Sequence, residues 1–125
     1  MAWIIFGLII DINNTYLYVG DDLILSHEGD AILPFCADQD FNQQLAGLKN
    51  VMKYTKDKVV IPAHGTVLYN EEVIIQDIEN RIKYIEYFIQ NPNKRYHDFE
   101  QETNIQFLGK RSHLYNMKQL HPKKS

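Results

Sequence analysis

Two short polar interruptions hold the residues best suited to chemistry. One is Tyr18-Val19-Gly20-Asp21-Asp22, the other Val60-Ile61-Pro62-Ala63-His64-Gly65, and each follows an apolar run. Groups that act on a substrate commonly sit where a rigid strand gives way to a loop, because the sheet then aims them into a crevice. A carboxylate such as Asp21 can bridge two cations about 3.5–4 Å apart, one on each oxygen. A neutral imidazole such as His64 is a good ligand for zinc, and a neighbouring glycine lets backbone or substrate approach closely. Taken singly, both signals are weak. Gly-Asp after a strand is common turn composition, and a histidine after Pro-Ala is more often a turn residue than a ligand.

The remaining titratable residues are less suggestive. His27, His97, His113 and His121, with Asp22 and Asp30, show no ligand-pair spacing and are expected on the surface or in loops. The stretch His27-Glu28-Gly29-Asp30 lies near Asp21 in sequence, yet it is also an ordinary polar turn. Cys36 is the only cysteine. That leaves no disulfide framework, and with no His or Asp grouped beside it a thiol nucleophile is a poor reading.

The elements that must position these residues follow from apolar periodicity. An isoleucine-rich strand is expected over 2–10, a turn at Asn13-Asn14, and a returning strand over 15–19. Gly20-Asp21-Asp22 then marks the point where the chain would leave the sheet, with 23–25 a further short extended piece. Asp38 or Asp40 caps a helix running to about Tyr54, since Phe41, Leu45, Leu48, Val51 and Met52 recur at spacings of three and four. Residues 58–62 read as a buried strand. A long helix is expected over 70–90, with Val73, Ile74, Ile78, Ile82, Ile85, Phe88 and Ile89 as its buried stripe, ended by Asn91-Pro92-Asn93. A short helix capped by Ser112 is expected over 112–120, while 96–106 carries no clear period. Helix, turn and strand over 41–62 are what an α/β layer needs. Residues 1–125 read as one unit.

Together and in this order, Leu17-Tyr18-Val19-Gly20-Asp21-Asp22-Leu23 and Val59-Val60-Ile61-Pro62-Ala63-His64-Gly65 resemble the metallo-β-lactamase superfamily of metallo-hydrolases, over roughly residues 7–90. The resemblance implies an α/β chain that is part of an αββα sandwich, one β-layer with its flanking helices, equivalent to the C-terminal half of that domain. It implies Asp21 as the bridging ligand and His64 as a ligand of the second metal, with Gly20, Asp22 and Gly65 as supporting residues. It implies a dinuclear centre of zinc, or of iron or manganese, and a small-molecule substrate that the sequence does not identify. The family's His-x-His-x-Asp-His motif is absent from the chain. The histidine that normally precedes the Gly-Asp strand is also missing from Ala2-Trp3-Ile4-Ile5-Phe6-Gly7-Leu8-Ile9. Two ligands are fewer than the three a catalytic zinc usually takes from protein. The chain is thus expected to be a fragment that binds metal weakly or not at all and hydrolyses nothing unless an N-terminal half is supplied. The alternative is a non-catalytic binding or structural module derived from the same fold.

Charge and hydropathy limit the partners. A net charge of −3 provides no field to attract nucleic acid, and the apolar opening of ten residues is about half a membrane span. No nucleic-acid or membrane partner is expected, and the single cysteine suits a cytoplasmic location. Half of a two-sheet sandwich leaves an apolar face open, so a second copy or a complementing N-terminal half is the expected partner.

Overall fold

The computed structural model describes residues 10–26, 30–34 and 41–120. Strand β1 (Ile10–Ile12) turns through Asn13 and Asn14 into β2 (Tyr16–Ile24), and the two pair antiparallel. The hairpin requires two consecutive residues at positive φ, and Asn13 and Asn14 adopt φ of 53° and 57°. Asparagine tolerates that region better than most residues, because its short side chain can bond locally. Asp11 accepts a bond from the Asn14 N–H at 3.1 Å, and Lys58 reaches the Asp11 carboxylate at 3.3 Å.

Helix α1 (Phe41–Tyr54) carries the chain from β2 to β3 (Val59–His64), which lies parallel to β2, giving an open sheet of order β1-β2-β3. Helix α2 (Glu71–Gln90) begins with the Asn70 side chain accepting from the Val73 N–H, and Glu71 and Glu72 complement the positive end of its dipole. Helices α3 (Tyr96–Thr103) and α4 (Ser112–Leu120) complete the order. The α/β class is therefore as expected.

One face of the sheet is closed by helices. Leu17, Val19, Leu23 and Val60 join Leu48 and Val51 of α1 and Ile74, Ile78, Ile85 and Phe88 of α2 in a single buried cluster. The residues that alternate with them, Ile10, Ile12, Tyr16, Tyr18, Val59 and Ile61, share the opposite face and none is fully buried. Residues 31–33 tie this layer to the far end of the chain: Leu25 bridges Ala31, and Leu33 donates its N–H to the Leu108 carbonyl at 2.8 Å.

Several expectations change in detail. The chain does not leave the sheet at Gly20, and 15–19 and 23–25 are not separate pieces, because β2 runs unbroken to Ile24. Gly20 at φ 58° absorbs an irregularity that would otherwise end the strand. Strand β3 likewise runs through Pro62 to His64. Val73, expected in the buried stripe of α2, is half exposed, one residue outside the buried arc that begins at Ile74. Helix α1 starts at Phe41 among the described residues, and the caps Asp38 and Asp40 lie outside them, as does nearly all of the 2–10 strand. Ser112 is the first residue of α4 rather than its cap.

Candidate functional site

The two motif segments lie on hydrogen-bonded neighbours in the sheet. Gly20 registers with Pro62, and Ile24 with His64. Between those pairs three residues of β2, Asp21, Asp22 and Leu23, span the interval that Ala63 alone spans in β3. The excess is a bulge, a device that re-aims residues and that recurs beside active sites. Asp21 thus stands inside a bulged strand rather than at its end. The backbones of Asp21, Asp22 and His64 are described; their side chains lie outside the described part.

Both glycines of the motifs have structural reasons to be glycine. Gly65 adopts φ +103°, and a Cβ there would stand 2.4 Å from the Leu25 carbonyl oxygen and 2.6 Å from the Leu25 Cβ. The turn after β3 is therefore pressed against the residue that follows β2. Gly20, at φ 58°, holds the bulge itself.

The other candidates are dispersed. His97 and Asp30 are exposed, and His27, Cys36 and His121 lie outside the described residues. Among the described residues no three His, Cys, Asp or Glu side chains group to hold a metal ion.

His113 corrects an expectation. It is buried, not on the surface, and its Nδ1 lies 2.8 Å from the Tyr84 hydroxyl. The Asn116 side-chain NH2 donates to that hydroxyl at 2.9 Å and to the Pro34 carbonyl at 2.6 Å. A hydroxyl can accept from Asn116 and still give or accept a proton at Nδ1, the direction being set by the imidazole tautomer. Burial holds the His113 pKa below its usual value, in keeping with the neutral form. The rings of Tyr84, Phe88 and Tyr96 surround it, their centroids 5.8, 4.4 and 5.6 Å from its own.

A second polar group sits one turn away. Arg81, fully buried, pairs with Asp77 at 2.8 Å, donates to the Ile32 carbonyl at 2.9 Å, and lies against the Phe107 ring. Sequence reasoning missed both groups. The available signal was an arginine and an aspartate four apart within an otherwise apolar helix stripe, a spacing that favours pairing. Their chemistry is that of clamps: they fasten 32–34 to α2 and α4.

No family model matches the chain, and comparison with curated proteins and with solved structures finds no match. No helix among the described residues is long and apolar enough to cross a membrane.

Proposed function

We propose that the chain is the C-terminal half of a metallo-β-lactamase-like hydrolase, in which Asp21 bridges two metal ions and His64 binds the second. One observation carries the reading. The Gly-Asp and Pro-Ala-His-Gly segments occupy adjacent parallel strands, joined by a helical crossover, with a bulge in one and a left-handed glycine closing the other. A carboxylate and an imidazole suit zinc, iron or manganese alike. When bound, a metal pair would activate water and stabilise the charge that develops on a carbonyl or phosphoryl oxygen. This chain's own contribution would be to hold two ligands in fixed relation through the sheet, while Gly65 keeps the turn clear of side chains. With two ligands rather than three, the isolated chain binds metal weakly and is inactive, and activity requires a half that brings the rest.

A specific observation favours the second reading, a non-catalytic module. The buried polar groups of α2 and α4 find partners within the chain, so the helical layer has a closed interior of its own.

Zinc titration followed by calorimetry, with metal content measured after dialysis, separates the two. The first reading expects weak binding that the Asp21→Ala, His64→Ala double variant loses. Equal metal in both proteins removes these residues from any site and leaves the module.

A further inference from the structure

We propose that copies of this chain associate head to tail, the outer face of α4 in one copy seating in a groove along the start of α2 in the next. Helix α4 turns His113, Asn116 and the partly buried Met117 to the core, while Leu114 is 70% and Tyr115 54% exposed. Two adjacent large apolar side chains on the outer face of a helix form a patch suited to burial against a partner. The exposed pair is flanked by the exposed cations Arg111 and Lys118, the Lys118 amine lying 5.1 Å from the Tyr115 ring centre.

The complementary surface is on the same molecule. A shallow groove of about 330 Å³ is lined by Glu72, Val73, Gln76, Asp77 and Asn80. Val73 offers it an apolar wall, half exposed, and Tyr69 just before the helix is 75% exposed. Glu72 gives the groove an acidic side, and Glu71 and Glu79 neighbour its lining residues along the helix. Cationic apolar knob and acidic apolar groove match in charge and character. Helix α4 of the same chain does not reach this groove. Helix α4 packs on α2 at Tyr84, about two turns past Gln76, and turns Leu114 and Tyr115 outward. A knob on one surface and a groove on another make the contact heterologous, and it must propagate or close into a ring.

Sedimentation velocity of the full chain tests this. Mass should rise with protein concentration at about 0.02 M salt and fall back toward monomer at about 0.5 M, where the charges are screened. Leu114→Ser with Tyr115→Ser blocks the knob, and Val73→Lys blocks the groove; each should weaken association about tenfold or more. Arg111→Glu with Lys118→Glu, which alters only exposed charge, is a second block of the knob. An equimolar mixture of a knob-blocked and a groove-blocked variant should stop at a one-to-one pair, since one intact knob meets one intact groove. A monomer at low salt, a mixture that stays monomeric, or association that survives either block overturns the proposal. Survival of both blocks would point to the open sheet face instead. None of these readouts involves metal, so the outcome is independent of Asp21 and His64.

Discussion

At φ +103°, and with the Leu25 carbonyl oxygen 2.4 Å from where a Cβ would stand, Gly65 is closed to other residues on two counts. Gly65→Ala would force the turn away from β2 and strain its own backbone. Urea unfolding should show a loss of about 2–4 kcal/mol. A loss under about 0.5 kcal/mol, typical of an indifferent surface site, would mean that the close approach is absent. The second residue-scale case is His113. Burial lowers its pKa below the 6.5 of a free side chain, so below pH 6.5 the unfolded chain takes up a proton that the folded chain resists. Stability is therefore full above pH 6.5 and declines as pH falls toward the lower folded-state value. Asp98 and Glu102 also have lowered pKa values, Asp98 chiefly by the Arg95 backbone bond and Glu102 chiefly by the Lys94 bond. Their window opens only below about pH 4.5, so it can be told apart from that of the histidine. His113→Gln should flatten thermal stability between about pH 6.5 and 5, and an unchanged slope would exclude His113 as its source. Sequence alone gave little hint of either group's packing. The Pro-Ala-His-Gly spelling draws attention to Gly65, but its contact with Leu25 depends on a strand forty residues earlier. His113 stands beside Leu114 and Tyr115, and only the tertiary fold decides that the histidine turns inward and its apolar neighbours outward.

At the scale of elements, legibility tracks how local the cause is. Helix α2 could be read almost to the residue. Asn70 caps it, Asn91 ends it, and Ile74, Ile78, Ile85 and Phe88 keep a strict helical period. The Asn13-Asn14 hairpin could be read for the same reason. What stayed hidden was β2 beyond Gly20, since a glycine and two aspartates are poor strand formers and only the bulge and pairing with β3 carry the strand through. The Arg81–Asp77 pair was hidden likewise, because charged residues in a helix ordinarily face water. Its energetics give an element-scale prediction. Asp77→Ala takes a 2.8 Å ion-pair partner from a fully buried guanidinium and should cost about 3–5 kcal/mol by denaturant unfolding. Replacing both, as Asp77→Leu with Arg81→Met, should cost less than the single change, although the Ile32 carbonyl loses its donor. Costs that simply add, the double variant losing the sum of what Asp77→Leu and Arg81→Met lose singly, would show that the two charges are not coupled.

For the whole molecule, the decisive feature is the asymmetry of the sheet. Leu17 and Val60, paired in the ladder, are fully buried beneath the helices, whereas their neighbours Ile12 and Tyr16 on the other face are 42% and 44% exposed. A sheet whose outer face carries isoleucine, valine and tyrosine in place of polar residues lacks the apolar-in, polar-out alternation of a one-sided antiparallel layer. That pattern agrees with a layer built to be covered, as the proposed complementing half would require. Replacing Ile12 and Tyr16 together by threonine, which keeps the strand preference, should reduce binding of a hydrophobic fluorescent dye severalfold. It should cost only about 1–2 kcal/mol in unfolding stability, since each side chain already keeps over two fifths of its surface in water. The same variant would also fail to accept a second β-layer while leaving head-to-tail association through α4 intact. If instead stability falls by about 4 kcal/mol or more, as for two core truncations, the face is already packed within the chain. The need for a covering half, and with it the strongest whole-molecule argument for a divided hydrolase, would then disappear.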